Sequence, residues 1–335
     1  MTADFRLVTA TGVPESFARV EGERADAPPL RIGVVQHAWN PDREELTADL
    51  AHAVATAAGE GARIVFLPEL TLSRYPADTR PSGRADVLAE ELESGDTLAF
   101  ARAAATANDV FVHVSLYERS GDADGRGLNT AIVVSPAGDL VARTRKLHIP
   151  VTAGYYEDLY FRPGPAEEPY PTYRLPGLPG LSLGLPTCWD EWFPEVARAY
   201  SIAGANVLAY PTAIGSEPDH PGFDTQPLWQ QVIVGNGIAN GLFMVVPNRT
   251  GAETRPDGTP GNTFYGSSFV SDPYGRILVQ APRDEQAVLV VDLDLTQRTD
   301  WLTLFPFLET RRPDTYSSLV APALPVEPGE TPGTR

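Results

Sequence analysis

Between residues 31 and 295, short β-rich apolar runs alternate with stretches whose apolar residues recur at helical spacing, and no seam interrupts the pattern. RIGVVQ at 31–36 reads as a strand, 43–58 as a helix, RIVFL at 63–67 as a strand, 98–107 as an Ala-rich helix and 110–117 as an alternating strand. A chain patterned in this way is confined to layered α/β architectures. Two hairpins break the alternation. One covers 129–146, where TAIVV and LVART flank the turn Ser135-Pro136-Ala137-Gly138-Asp139; the other turns through Asp272-Pro273-Tyr274-Gly275. Hairpins set into β-α-β alternation predict mixed sheets with antiparallel pairs. Pro and Gly at 163–180 predict loop, 181–185 is a short strand leading into Cys188, and 191–203 has helical spacing, with Asp190 as its expected N-cap and Pro194 in its first turn. The alternation then continues as a strand at 206–210, a helix at 227–240, and strands at 242–247 and 287–293.

A chain of 335 residues, 42% of them hydrophobic, can bury one large core, and no linker splits it into separately patterned halves. The expected organisation is an N-terminal extension at 1–29, a single domain at 30–318 and a Pro-rich tail at 319–335, which holds Pro322, Pro325, Pro328 and Pro332. A formal net charge of −18 argues against a nucleic acid or anionic membrane as partner. No apolar run is long enough to span a bilayer, and residues 1–30 are charged and polar rather than a signal peptide, so a cytoplasmic location is expected. With Cys188 the only cysteine, neither an internal disulfide nor a multi-cysteine zinc site can be built. His37, His52, His113, His148 and His220 lie far apart in sequence, so no metal or other cofactor is expected.

Four residues stand where chemistry could be carried. Cys188 sits at a strand-to-helix junction, where a helix N-terminus is expected to favour thiolate and lower its pKa, with Asp190 and Glu191 opposing. Glu69 follows RIVFLP and so emerges at the C-terminal end of a buried strand, the edge where ligand sites form in open α/β sheets. Lys146 ends the second strand of the first hairpin, and Glu157 lies in GYYEDLYF, where four aromatics suit a pocket wall or a packed loop equally. Taken singly, each fits a structural role as well as a catalytic one, and a Cys-His pairing with His148 or another histidine stays open. GNGIANG at 235–241 lacks the third glycine of a phosphate loop and sits in a helical run; G-x-S-x-G and G-x-x-x-x-G-K-[ST] are absent.

Taken together, FLPE at Glu69, RKLHIP at Lys146 and PTCWDEWFPE at Cys188 resemble, in order, the signature segments of the nitrilase superfamily of carbon–nitrogen hydrolases. GYYEDLYFRPG, YPTAIGSEP, GNGIANG, PNRTG and FYGSSFVSDPYG resemble its N-carbamoylputrescine amidase and ureido-hydrolase branch. The resemblance covers roughly residues 31–316 and implies a four-layer αββα sandwich with two mixed β-sheets. By position it implies Glu69 as general base, Lys146 as oxyanion-stabilising cation, Cys188 as nucleophile, Glu157 as second glutamate and the Trp189 backbone N–H as part of the oxyanion hole. It places Tyr75, Tyr155, Trp189, Glu191, Thr212 and Ala213 against a small carbamoyl-amine or amide substrate, and it implies a homodimer or larger homo-oligomer. The chain departs from that branch at Glu191, where glutamine is more usual, and at Leu185-Pro186-Thr187, where glycine and small aliphatic residues are more usual. The physical logic of the set stands apart from the resemblance: a carboxylate takes the thiol proton, sulfur attacks a carbonyl carbon, and a fixed cation in a dry site lowers the barrier by about 3 kcal/mol. The resemblance admits other ureides such as N-carbamoyl-β-alanine, ω-amides or nitriles as substrates, and a catalytically silent binding protein on the same fold is the non-enzyme alternative.

Overall fold

A computed structural model describes residues 3–10, 12–20, 25, 27–215 and 217–323. In chain order the elements are β1 (Arg6–Ala10), β2 (Leu30–Gln36), α1 (Arg43–Gly59), β3 (Ile64–Phe66), α2 (Asp96–Asn108), β4 (Phe111–Glu118), β5 (Leu128–Val134), β6 (Leu140–Arg145), β7 (Thr172–Tyr173), β8 (Leu183–Gly184) and α3 (Pro194–Ile202). There follow β9 (Val207–Ala209), α4 (Gln226–Asn240), β10 (Phe243–Val246), β11 (Thr250–Thr254), β12 (Pro260–Tyr265), β13 (Phe269–Ser271), β14 (Ile277–Gln280), β15 (Ala287–Leu293) and α5 (Gln297–Leu304). Local chemistry sets several of these limits. Asp42 caps α1 by accepting the N–H groups of Glu44 and Glu45 at 3.0 Å, and α4 stops at Gly241, whose φ of 62° lies in the left-handed region that glycine adopts freely.

Seven strands form one sheet in the order β1-β15-β2-β3-β4-β5-β6, and six form a second in the order β14-β13-β10-β9-β8-β7. Both are mixed. β2, β3 and β4 run parallel while β5 and β6 return as a hairpin, and β8, β9 and β10 run parallel while β13 and β14 return antiparallel. Period-two side chains sort the layers. Ile64 and Phe66 of β3, with Ala131 and Val133 of β5, join Val207, Ala209, Phe243 and Val245 of the other sheet in a core between the sheets. The intervening Val65, Ile132 and Val134 face outward onto Leu50, Val54, Leu98 and Ala101 of α1 and α2. Leu208, Met244 and Val246 likewise meet Val196 of α3 and Trp229 and Ile233 of α4. The result is the expected four-layer αββα sandwich. Gly33 shows how tightly the layers close, since a Cβ there would stand 2.7 Å from the Cβ of Ala57 on α1.

The structure departs from the sequence reading in several places. Residues 1–29, expected outside the core, contribute β1, which pairs in parallel with β15 from Arg6↔Ala287 to Ala10↔Val291; five residues with only alternate partial burial carry too little apolar signal to announce a strand. The 163–180 loop contains β7, a two-residue edge strand on β8. The expected 191–203 helix is divided into a 3-10 turn, Cys188–Trp192, and α3, because Pro194 cannot continue a preceding turn and begins a new helix. Asp190 is therefore not the cap of α3, whose N-cap position is Phe193. The β11–β12 hairpin was not anticipated, its strands being polar and its turn, through Asp257 and Gly258, short of apolar flanks. Of the Pro-rich tail, residues 324–335 lie outside the described residues.

His37 and His113 are fully buried, and both ring nitrogens of His113 lack hydrogen-bond partners. Burial pushes both rings down to about 3 from an ordinary 6.5. Such a ring binds fewer protons folded than unfolded, so it leaves stability untouched above pH 6.5 and erodes it progressively as pH falls toward 3. Each ring then costs up to about 1.4 kcal/mol per pH unit. The urea midpoint is expected to fall through this window, and His113→Phe to flatten the decline by one ring's share; an unchanged slope in that variant would contradict the assignment.

Candidate active site

Three strand ends supply the site. Glu69 stands three residues beyond β3 and Lys146 immediately beyond β6, and because β6 runs in the direction of β3 both leave the same edge of the first sheet. Cys188 follows β8 of the second sheet. Glu157 opens a short 3-10 turn, Glu157–Leu159. Glu69, Lys146 and Glu157 are each at most 1% exposed.

Lys146 Nζ donates to Glu69 Oε1 at 2.9 Å and to Glu157 Oε2 at 2.6 Å. Burial disfavours its charge, but Glu157, Glu69 and Cys188 outweigh that and hold the ammonium well above its ordinary pKa. The two carboxylates differ in what remains free. Glu157 is satisfied on both oxygens, since Tyr75 donates its hydroxyl to Oε1 at 2.8 Å. Glu69 Oε1 takes a second bond, from Asn129 Nδ2 at 2.7 Å, whereas Glu69 Oε2 is buried without a partner. Burial and the nearby Glu69 push the Glu157 carboxyl up to about 7 against the pull of Lys146. Two acids and one ammonium thus share a dry space, and an oxygen of Glu69 is left unengaged.

Cys188 adopts φ 43°, a left-handed conformation unfavourable for a residue with a Cβ. Its N–H is held by Pro211 O at 3.1 Å. The turn is clasped by Asp190, whose carboxylate accepts the N–H of Thr187 at 3.0 Å, the N–H of His148 at 3.0 Å and a 2.7 Å contact from His148 Nδ1. His148 is therefore committed to Asp190 and stacks on Phe193, ring centroids 3.8 Å apart, which removes His148 from the Cys-His pairing left open by sequence. The expected lowering of the thiol pKa is not found. Burial pushes the Cys188 thiol well above its ordinary range, and Glu69, Glu191 and Glu157 add to this more than Lys146 relieves it. A 3-10 turn of five residues offers a weak dipole beside three carboxyls, so sulfur rests as the thiol and needs a base.

The Glu69 turn is held by a residue that the sequence analysis does not single out. Leu70 has φ 50°, and Arg249, fully buried, braces that turn: its Nε and Nη2 donate to Glu69 O at 3.1 and 3.0 Å, and Nη2 also to Leu70 O and Ser73 O at 2.6 Å. Its other arm pairs with Glu253 at 2.5 Å, and Glu253 Oε2 accepts the Tyr75 N–H at 2.9 Å. Arg249 stands in PNRTG, between β10 and β11, and nothing local marks it as buried. Asn129 and Glu217 were likewise not singled out.

The remaining expected contacts divide. Tyr75, Tyr155 and Ala213 pack in one buried cluster with Phe264, where Tyr155 OH exchanges hydrogen bonds with Gly215 O and N at 3.2 and 3.1 Å. Thr212 is buried and spends its hydroxyl on Tyr210 O at 2.9 Å. Trp189 is half-buried, while Glu191 is fully buried and bonded to Trp229. Glu217 is half-buried, forms no ion pair among the described residues, and its charge reaches Tyr155, as do those of Cys188 and Glu157. A cleft of about 230 Å³ lined by Trp39, Leu70, Arg74, Leu88 and Tyr117 contains none of the four charged or thiol groups; Arg74 there is already paired with Asp78. Among the described residues no cluster of His, Cys, Asp and Glu could hold a metal ion, and no helix is long and apolar enough to cross a membrane.

The family described as carbon-nitrogen hydrolase matches residues 31–302. The chain is 32% identical to a citrullinase of Francisella tularensis over 87% of its own length and 98% of that protein. It is also 32% identical to an N-carbamoylputrescine amidase of Arabidopsis thaliana, over 90% of this chain and 97% of the relative. A carbon-nitrogen hydrolase from Helicobacter pylori G27, known from its crystal structure, superposes with a TM-score of 0.76 at 33% identity, over 87% of this chain and 98% of that one.

Arg249→Met is expected to lower stability by about 3–5 kcal/mol in urea unfolding, because it strands the buried Glu253 carboxylate and the carbonyls of the Glu69 turn. A loss under 1 kcal/mol, roughly the effect of an exposed ion pair, would show the brace to be dispensable.

Proposed function

The chain belongs to the carbon–nitrogen hydrolase family and is an amide-cleaving hydrolase, and we propose that it hydrolyses a ureide with a cationic tail, N-carbamoylputrescine foremost. The observation that carries the reading is Glu69 Oε2, a carboxylate oxygen without a hydrogen-bond partner among the described residues, on a glutamate that shares a doubly held ammonium with Glu157 in the same buried cluster as the only thiol.

The steps follow from those groups. Glu69 Oε2 takes the Cys188 proton, since Glu157 has no oxygen to spare, and sulfur attacks the ureido carbon. Negative charge building on the carbonyl oxygen is met by Lys146 Nζ and by the backbone N–H of Trp189, the residue after the nucleophile in its 3-10 turn. Glu157 and Tyr75 keep the ammonium fixed in place. Glu69 returns the proton to the departing amine, leaving a carbamoyl thioester on Cys188. A water activated by Glu69 then releases carbamate, which breaks down to ammonia and carbon dioxide. Because the thiol and Glu69 exchange one proton within a dry cluster, no free thiolate is required at rest.

For the tail, Glu217 supports a cation. It is a half-buried carboxylate without a paired cation among the described residues, in electrostatic reach of Tyr155. An anionic tail, as in N-carbamoyl-β-alanine, would meet like charge there. Citrulline is the second reading, supported by the citrullinase relative, and it too joins a ureido group to an ammonium.

Incubation of the pure protein with N-carbamoylputrescine, citrulline, N-carbamoyl-β-alanine, an ω-amide and a nitrile, with ammonia measured, is expected to give highest kcat/KM for the first; no turnover of any ureide would refute the reading. Cys188→Ala is expected to remain folded and to lose all turnover, there being no second thiol. Glu217→Gln is expected to raise KM for the cationic ureide about tenfold with kcat nearly unchanged, the effect of one modest ion pair; an unchanged KM would remove Glu217 as the reader of the tail.

A further inference from the structure

Glu191 lies three residues beyond Cys188, and the mechanism gives it no role. Its side chain is fully buried. Oε1 accepts the Trp229 indole N–H at 2.7 Å, its backbone carbonyl accepts the Asn236 amide at 3.0 Å, and Oε2 is buried with no hydrogen-bond partner among the described residues. The charges that face it come from three directions. Lys146, beyond β6, attracts an anion but is already bound at 2.9 and 2.6 Å by Glu69 and Glu157; Glu69, beyond β3, and Asp190, in the same turn, repel one. From the ends of β9 and β12 the buried Tyr210 and Tyr265 also lie within its field.

An ionised carboxyl in this place would be stripped of water with one neutral N–H as its side-chain donor and no cation of its own, an arrangement that proteins avoid by protonation. A neutral acid costs far less. It keeps the Trp229 bond through its carbonyl oxygen and leaves no bare charge on Oε2. We infer that Glu191 works as a neutral carboxylic acid, a positioning residue that buttresses the back of the Cys188 turn through Trp229 and Asn236 while keeping negative charge away from sulfur.

The inference rests on Cys188 being the nucleophile. A full charge at Glu191 would oppose both ionisation of that thiol and growth of the oxyanion, so the residue serves the chemistry only while it holds its proton. Burial pushes the Glu191 carboxyl well above the ordinary carboxylate range; the Trp229 bond pulls the other way, and Glu69 adds to the rise. Glutamine is the neutral isostere of this state, able to accept from Trp229 in the same way.

The test is a difference infrared spectrum in D2O at about pH 7, wild type minus Glu191→Gln. A carboxylic-acid C=O stretch present only in the wild type is expected, and carboxylate bands in its place would overturn the inference. In kinetics, Glu191→Leu, which loses the acceptor for Trp229, is expected to lower kcat about tenfold at unchanged KM, and Glu191→Gln to recover all but about threefold of it. Equal losses in the two variants would also overturn it. Iodoacetamide alkylation of Cys188 separates this outcome from the choice of substrate. Alkylation fast in wild type and Glu191→Gln but slow in Glu191→Leu, with no ureide turned over, upholds the inference and discards only the substrate; an inert Cys188 in the wild type discards both.

Discussion

Lys146 binds two carboxylates in a space closed to bulk solvent, and the positions of three separate chain segments depend on that arrangement. In so dry a place the ammonium cannot be left with one partner, nor either carboxylate with none, without several kcal/mol of uncompensated charge. The sheet register makes the meeting possible. β5 and β6 pair Thr130 with Arg145, so Asn129, one step along, receives the Lys146 N–H on its carbonyl at 2.8 Å and reaches Glu69 with its amide. The hairpin thereby measures the distance between a lysine at one strand end and a glutamate at another. A one-residue slip would turn those side chains to the opposite face.

Among the described residues, two of the four non-glycine residues in left-handed conformation, Leu70 and Cys188, lie at the site, and a buried charged side chain braces the turn that holds each. Arg249, following a strand of the second sheet, grips the carbonyls around Leu70 beside the first. Asp190, in the turn after a second-sheet strand, grips the backbone of His148 beyond the last strand of the first. One clasp is a cation on carbonyls and the other an anion on N–H groups. Between them they tie the Glu69 turn and the Cys188 turn across the two sheets.

Much of this was legible in the sequence, and the limits have physical causes. Strand ends at Glu69, Lys146 and Cys188 were readable because buried parallel strands are apolar runs with abrupt polar ends, and the structure brings all three together with Glu157. The protonation of Cys188 differs from expectation because the local cues, a helical turn opposed by Asp190 and Glu191, leave out Glu69 and Glu157, which only tertiary structure delivers. Arg249 was missed for a related reason: its partners lie about 180 residues away, and no local pattern distinguishes a buried arginine from an exposed one. β1 was missed because an edge strand borrows its stability from its neighbour rather than from its own composition.

That neighbour, β15, is the last strand among the described residues, and it stands between β1 and β2. As the polypeptide leaves the ribosome, β2 through β6 can pair and receive their helices while the outer edge of β2 still has no partner. β1 must wait for β15, far along the chain, before it finds a seat. Until 287–293 arrive, an apolar edge of seven residues stays open to strands of other molecules, and closure demands a contact across some 250 residues. Biogenesis of this sandwich is therefore most vulnerable just before completion, and a nascent chain cut short ahead of β15 would retain all the chemical groups of the site while lacking the strand that seals its sheet.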